Sequence, residues 1–142
     1  MCFFKKKNKK EELVTLKKVE SLLGEGESRK TVTAVTIPED IQVLDYRAFG
    51  DCYALTSIVI PDGVRRIKVS AFERCKSLTS VTLGSGLVKI GSLVFLDCKA
   101  LSEIRYNGTK EQWEKVIKKY DWLGGKKKSV KQVRCLDGSV EL

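Results

Sequence analysis

The chain has 142 residues, 42% of them hydrophobic, which suits one folded domain with an ordinary core. It contains no histidine, so the commonest general base and the commonest nitrogen ligand of transition metals are both missing, and most hydrolase and metalloenzyme functions are excluded. Its 27 Lys and Arg residues against 18 Asp and Glu residues give a formal net charge of +9.

The positive charge is concentrated in the two flanking segments. Residues 1–30 hold nine basic and five acidic side chains, residues 104–142 hold ten and five, and residues 31–103 hold eight of each. Because the central region is neutral, the sequence predicts no basic groove through the middle of the domain.

The first predicted element is an amphipathic helix over residues 10–23, which follows a basic tail. Its apolar residues fall along one helical face, and they are Leu13, Leu16, Val19, Leu22 and Leu23. The pattern is compatible with a helix that packs on the next element and with one that projects outward. In the tail, aromatic rings and lysines would allow contact with an anionic membrane, and the alternative is a solvated segment; these residues are Phe3, Phe4, Lys5, Lys6 and Lys7.

Three consecutive segments of 23 residues then align without a gap, over residues 32–54, 55–77 and 78–100. Apolar residues recur in the same columns of every segment, as in Val35/Ile58/Val81/Ile104, Ile37/Ile60/Leu83/Tyr106, Phe49/Phe72/Phe95 and Cys52/Cys75/Cys98. A period in this range is typical of repeat proteins, in which stacked units share one continuous core.

Each repeat begins with an apolar alternation that predicts one short parallel strand, as at Ile58 and Ile60. The second half carries Phe and Cys three residues apart, as in Phe72 and Cys75, which places both on one side of a helical or 3₁₀ turn. This turn would return the chain to the next strand.

The last segment departs from the period and predicts a helix followed by a strand. Thr109 and Gln112 have capping-box spacing, and an amphipathic helix closed by Gly124 and Gly125 is indicated by Trp113, Val116, Ile117 and Tyr120. A strand over residues 130–135 would place Val133 and Cys135 inward and end in an Asp137-Gly138 turn. We expect this unit to cap the last open strand edge.

The repeat motif resembles the BspA-like leucine-rich repeat family. It reads I-P-x-x-V-x-x-I over residues 60–67 and A-F-x-x-C-x-x-L over residues 71–78. The resemblance implies a right-handed solenoid lined by strands, with a binding role that in the family is often found at a bacterial cell surface. We therefore predict an α/β leucine-rich-repeat solenoid with a basic N-terminal segment (1–31), three repeats (32–103) and a C-terminal helix-strand cap (104–142).

Five cysteines, with no C-x-x-C pair, argue against a disulfide framework or a zinc ribbon. The column of Cys52, Cys75 and Cys98 is interpreted as small buried fillers, with a metal or redox site as the alternative. Free thiols, the absence of an apolar run long enough to cross a bilayer and the absence of a leader pattern together predict a cytoplasmic location.

These features favour a non-catalytic protein-protein interaction module without a cofactor, a metal or a small-molecule substrate. Its binding residues would be the outward positions of the strands, namely Ser57, Val59, Ser80, Thr82, Glu103 and Arg105. The alternative is a peripheral membrane-surface or polyanion-binding protein that uses the basic N-terminal segment. Nucleic acid is not an expected partner, because the lysine runs do not interleave with aromatic residues.

Overall fold

The computed structural model describes residues 13–14, 22, 28–125 and 130–142 of the chain. The strands and the helix whose bounds lie within these residues are β1 (Leu13–Val14), β2 (Val43–Leu44), β3 (Ser57–Val59), β4 (Arg66–Ile67), β5 (Ser80–Leu83), β6 (Lys89–Ile90), β7 (Glu103–Tyr106), α1 (Lys110–Lys115), β8 (Ile117–Lys118), β9 (Gln132–Cys135) and β10 (Gly138–Glu141).

The strands form two sheets of five strands each. The long-strand sheet has the order β10-β9-β7-β5-β3, and the short-strand sheet, whose strands have two residues each, has the order β1-β2-β4-β6-β8. All neighbours are parallel except β9 and β10, which form an antiparallel hairpin. Ser57 pairs with Ser80, and Ser80 pairs with Glu103. The register of the long-strand sheet therefore follows the repeat period.

The side chains that point inward from both sheets belong to one core. Ile58, Val81 and Ile104 enter it from the long-strand sheet, and Leu44, Ile67 and Ile90 enter it from the short-strand sheet. The phenylalanine column stacks nearly parallel, with ring centroids 5.2 Å apart for Phe49 and Phe72 and 5.6 Å apart for Phe72 and Phe95. Trp122 continues the stack edge-on at 6.1 Å from Phe95.

The repeats at residues 55–77 and 78–100 each contribute two strands, not the single strand predicted, and the repeat at residues 32–54 contributes one, β2. The repeat at residues 55–77, for example, contains both β3 and β4. The predicted helical turn is also wrong, because left-handed residues interrupt the arm that carries Phe and Cys. Their φ values are 51°, 58° and 56° at Arg47, Ser70 and Leu93, and 63°, 63° and 58° at Asp51, Arg74 and Asp97.

The left-handed residues turn amides of each arm toward the next repeat. The Phe49 N–H donates to Ala71 O at 2.8 Å, and the Phe72 N–H donates to Val94 O at 2.9 Å. Hydrogen bonds between repeats thus alternate along the arm with bonds inside it, such as that from the Gly50 N–H to Arg47 O at 2.8 Å, and no continuous helix forms.

Helix α1 begins where the sequence predicts and ends earlier. Thr109 accepts from the Gln112 N–H, and Gln112 accepts from the Thr109 N–H, so the predicted capping box is confirmed. The extension of the helix to Tyr120 is wrong, because Val116 is extended and the Ile117 N–H donates to Val88 O at 2.9 Å. This bond places β8 beside β6. Tyr120 is 94% exposed.

The predicted N-terminal helix is contradicted at two residues. Leu13 and Val14 form β1 and pair in parallel with β2, while Leu22 is helical. The other residues of that helix lie outside the described residues, as do the tail residues Phe3, Phe4, Lys5, Lys6 and Lys7.

Candidate functional site

The outward positions predicted from the sequence lie together on the exposed face of the long-strand sheet. Ser57, Ser80 and Glu103 are paired neighbours in one column, and Val59, Thr82 and Arg105 form the other. Residues on alternate sides of a strand face opposite ways, so the buried Ile58, Val81 and Ile104 force these six side chains outward.

The part of this face nearest β3 carries small side chains. Val59 is its main apolar contact point and is 61% exposed. Beside it, hydroxyl groups bind the backbone of the preceding repeat: Thr79 Oγ1 donates to Thr56 O at 3.0 Å, and Ser102 Oγ donates to Thr79 O at 3.3 Å. The hydroxyl groups of Thr79 and Ser102 therefore hold neighbouring repeats together. The outward residues of the strands remain as the surface that a partner can contact.

The part nearest β9 is charged. Glu103 Oε1 accepts from Arg105 Nε at 2.9 Å and lies 3.6 Å from Arg134 Nη1. Arg134 pairs beside Arg105 in the ladder. An open depression of about 530 Å³ is lined by Ser102, Glu103, Arg105, Lys131, Gln132 and Arg134. One carboxylate faces three cations there, so this end of the sheet favours an anionic group of a partner.

Arg134 was not among the residues chosen from the sequence. It occupies an outward position between the buried Val133 and the half-buried Cys135. The alternation within residues 130–135 contains this information, but the parallel pairing of β9 with β7 is what brings Arg134 next to Arg105.

A second surface feature crosses the outer side of the short-strand sheet. We call it the basic groove; it has a volume of about 550 Å³ and is lined by Tyr46, Arg66, Ile67, Lys68, Val69, Lys89, Gly91, Ser92 and Lys119. The prediction that no basic groove exists in this region is wrong. Acidic and basic residues balance within residues 31–103, but stacking brings basic side chains of that region together with Lys119 on one face.

The predicted cysteine column lies in the core. Cys52, Cys75 and Cys98 are fully buried. The thiols of Cys52 and Cys98, together with burial, raise the pKa of the Cys75 thiol and disfavour its thiolate, whereas the Cys75 thiol and Arg29 lower the pKa of Cys52. Within residues 28–125 and 130–142, no group of three or more Cys, Asp or Glu residues is arranged to hold a metal ion.

Parallel strands in register with a 23-residue repeat, and extended faces on both sheets, define a leucine-rich repeat protein. A family model described as BspA type leucine rich repeat region, in six copies, matches residues 4–118. The chain therefore belongs to the BspA-type leucine-rich repeat family, as the motif predicted, and membership indicates a protein-interaction module.

The chain is also similar to a solved structure, that of a leucine rich cell surface protein from Faecalibacterium prausnitzii A2-165. The two are 30% identical with a TM-score of 0.48, and the alignment covers 56% of this chain and 23% of that one. The chain thus spans less than a quarter of the matched protein. No curated protein matches the chain.

Membership of this family contradicts the predicted cytoplasmic location. BspA-type leucine-rich repeats are typically surface-associated. Among the described residues, no helix is long and apolar enough to span a membrane.

Proposed function

We propose that the chain is a non-catalytic interaction module, a short solenoid that binds another protein through the outer face of its long-strand sheet. The observation that carries the proposal is the in-register exposure of Ser57, Ser80 and Glu103 beside Val59, Thr82 and Arg105. An exposed sheet face of this kind is the usual binding surface of strand-lined repeat proteins.

The composition of the face supports a protein partner. Val59 offers an apolar contact at one end, and Arg105 and Arg134 offer charged contacts at the other. The four strands from β3 to β9 cover roughly 14 Å at about 4.8 Å per step. Arginine is enriched at binding hot spots, so we expect Arg105 to add to the affinity of the contact around Val59.

The chemistry of the face supports a non-catalytic role. Ser57 and Ser80 carry hydroxyl groups on this face. A serine hydroxyl acts as a nucleophile only when a base is positioned to take its proton. The chain contains no histidine to supply that base. Thr82 and Arg105 are likewise suited to contacts and not to proton transfer.

The division of the chain that we propose is a basic N-terminal segment (1–31), the repeats (32–103) and a closing unit (104–142). In the closing unit, α1 contributes the buried Trp113, whose ring lies 5.3 Å from that of Tyr106. The Lys110 N–H donates to Asp137 Oδ1 at 2.8 Å and joins α1 to the β9-β10 hairpin. We propose that this unit covers the last edge of the stack and prevents strand-to-strand aggregation.

The alternative, binding through the basic N-terminal tail, rests on Phe3, Phe4 and the lysines that follow. These residues lie outside the described ranges, and no observation favours that alternative.

The test is affinity capture from a native extract with three immobilised proteins: the full chain, the variant Val59→Glu/Thr82→Glu and the matched control Lys76→Gln/Lys99→Gln. Both double variants lower the net charge equally, and the control residues lie on the exposed arms. We expect a partner that the full chain and the control retain and the sheet-face variant loses. A partner retained by all three proteins would contradict the proposal.

Salt concentration separates the two hypotheses independently. A contact dominated by apolar and hydrogen-bonding groups should change little between low and physiological salt, whereas binding of a polyanion by a lysine-rich segment should weaken steeply. Capture that disappears at physiological salt would favour the N-terminal alternative.

A further inference from the structure

We propose that the basic groove is a second binding site, and that it binds an extended acidic peptide segment with an apolar side chain among its carboxylates. The site lies on the short-strand sheet and shares no residue with the sheet face proposed above. Failure of one proposal therefore leaves the other intact.

The cations of the groove come from different repeats and are gathered by strand pairing. Arg66 and Lys89 are direct neighbours in the ladder between β4 and β6. Lys68 and Lys119 follow β4 and β8, and their amides donate to Leu44 O and Ile90 O at 2.9 and 3.0 Å. The result is two rows of positive charge that run across the strands.

The depth of the groove depends on Gly91. The Gly91 N–H donates to Ile67 O at 2.8 Å, and this bond is equivalent to those that the Lys68 and Lys119 amides make. Gly91 therefore lies between these two lysines in the row that crosses the strands. A Cβ atom at Gly91 would lie 2.8 Å from Val69 N. The close approach of two repeats therefore requires glycine, and its missing side chain leaves space between the flanking lysines.

One wall of the groove is apolar and accessible. Tyr46 is 55% exposed and Val69 is 43% exposed, and both line the groove beside the cations. Exposed apolar groups next to positive charges match a ligand that is itself amphipathic. A nucleic acid would need a series of rings for base stacking, and Tyr46 is the one aromatic residue among those that line the groove.

Two of the four cations that line the groove, Lys89 and Lys119, offer their charge to a ligand. Lys68 is paired with Asp45, at 3.0 Å between Nζ and Oδ1. Lys89 and Lys119 make no ion pair with any residue of the described segments. The strands β2 to β8 cover roughly 14 Å, which an extended segment of about five residues spans.

The test is fluorescence anisotropy with a labelled peptide of about eight residues, in which glutamates surround a central phenylalanine and leucine. The comparison ligands are the same peptide with glutamine for glutamate, the same peptide with serine for the two apolar residues, and a thymidine oligonucleotide of similar length. We expect the acidic amphipathic peptide to bind most tightly, with an affinity at least about tenfold higher than that of each comparison ligand.

The variants localise that binding. Lys89→Glu/Lys119→Glu should weaken peptide binding by about tenfold or more, and Tyr46→Ala should weaken it less. The control Lys76→Glu/Lys99→Glu makes the same change of net charge on the exposed arms and should bind as the unchanged chain does. Circular dichroism verifies folding, and Lys89→Gln/Lys119→Gln replaces the reversal variant if that variant does not fold.

Three outcomes would overturn the proposal. Equal weakening by the groove variant and the control would show attraction by net charge alone. Equal affinity for the glutamine peptide would remove the electrostatic basis. Tighter binding of the oligonucleotide than of the peptide would assign the groove to a nucleic acid.

Discussion

The Cys98 thiol donates a hydrogen bond to the backbone carbonyl oxygen of Phe72, with 3.0 Å between Sγ and O. The same oxygen accepts from the Cys75 N–H at 3.2 Å. It therefore accepts one hydrogen bond from its own repeat and one from the next repeat. Cys75 repeats the arrangement one unit earlier, with its Sγ 3.1 Å from Phe49 O. Cys75 and Cys98 are therefore buried donors that connect neighbouring repeats.

Burial of this column predicts slow reaction with thiol reagents. We expect Cys52, Cys75 and Cys98 to be modified by a maleimide only when the protein unfolds, because all three are fully buried. Cys135 is half-buried and should react earlier. Mass spectrometry of partly labelled native protein gives the order, and rapid labelling of all three core thiols would contradict the assignment.

Cys75 should also make stability depend on pH in alkaline solution. Neighbouring thiols and burial raise its pKa in the folded protein, whereas in the unfolded chain it titrates near its ordinary value of about 8.5. The contribution of the Cys75 thiol to folding stability is fully present below its pKa in the unfolded chain. As the pH rises above it, the unfolded chain loses a proton that the folded chain keeps, so stability falls, by about 1.4 kcal/mol per pH unit at most.

Cys75→Ala isolates this effect. Urea unfolding of both proteins between neutral pH and about pH 10 should show a less steep loss for the variant. Parallel pH dependences would contradict the assignment.

Phe72 occupies the centre of the phenylalanine stack and should be the most costly position to truncate. Phe72→Ala removes two ring contacts and leaves a cavity in a fully buried column, so we expect a loss of about 3 to 5 kcal/mol in the free energy of unfolding. Val59→Ala, on the exposed face, should change it by less than about 0.5 kcal/mol. Equal losses in a denaturant titration would show that the stack is not a principal source of stability.

The guanidinium group of Arg29 occupies the position that the backbone amides of a preceding repeat would take. Its Nη1 donates to Ala48 O at 2.9 Å and to Gly50 O at 3.0 Å. In the next repeat, the equivalent carbonyls of Ala71 and Glu73 accept backbone amides instead.

Arg29→Ala should cost about 1 to 2 kcal/mol, because it leaves these carbonyls without their charged donor. Thermal unfolding monitored by circular dichroism measures the loss, and Lys30→Ala, at an exposed neighbouring position, is the control. An unchanged midpoint for Arg29→Ala would mean that water replaces the guanidinium without penalty.

Lys118 closes the C-terminal end of α1. Its Nζ donates to Trp113 O at 2.8 Å and to Val116 O at 2.7 Å, and it lies 4.5 Å from the centre of the Trp113 ring. Burial lowers the pKa of this ammonium group.

Lys118→Met keeps the apolar stem and removes the donors, so we expect a loss of about 1 to 2 kcal/mol and a changed near-ultraviolet signal from Trp113. Lys119→Met, at an exposed position, should change stability by less than about 0.5 kcal/mol. A near-ultraviolet spectrum unaffected by Lys118→Met would contradict the capping role.

The long-strand sheet and its outward columns were predictable because each strand carries a full alternation. In β5, for instance, Val81 and Leu83 are buried while Ser80 and Thr82 are not. The same pattern recurs 23 residues away on either side, so a local pattern and a global period agree, and each position on the sheet follows from the sequence.

The short-strand sheet was not predictable from the same information. Its strands have two residues each, which is too short for any periodicity to appear. The helix end shows the same limit: Trp113, Val116, Ile117 and Tyr120 have helical spacing, but pairing with Val88 O removes Ile117 from the helix. Tertiary hydrogen bonds outweigh a local propensity worth a few tenths of a kcal/mol per residue, about 0.7 at most.

The sequence by itself determined the repeat period, the residues of the core and the family, because these depend on apolar residues recurring at one constant offset. Only the tertiary structure decided where the second sheet runs, where α1 ends and which charges meet. Arg66, Lys89 and Lys119 are far apart along the chain, and the first two lie in a segment where acidic residues balance the basic ones. They become one groove because parallel pairing places corresponding positions of successive repeats a single strand apart.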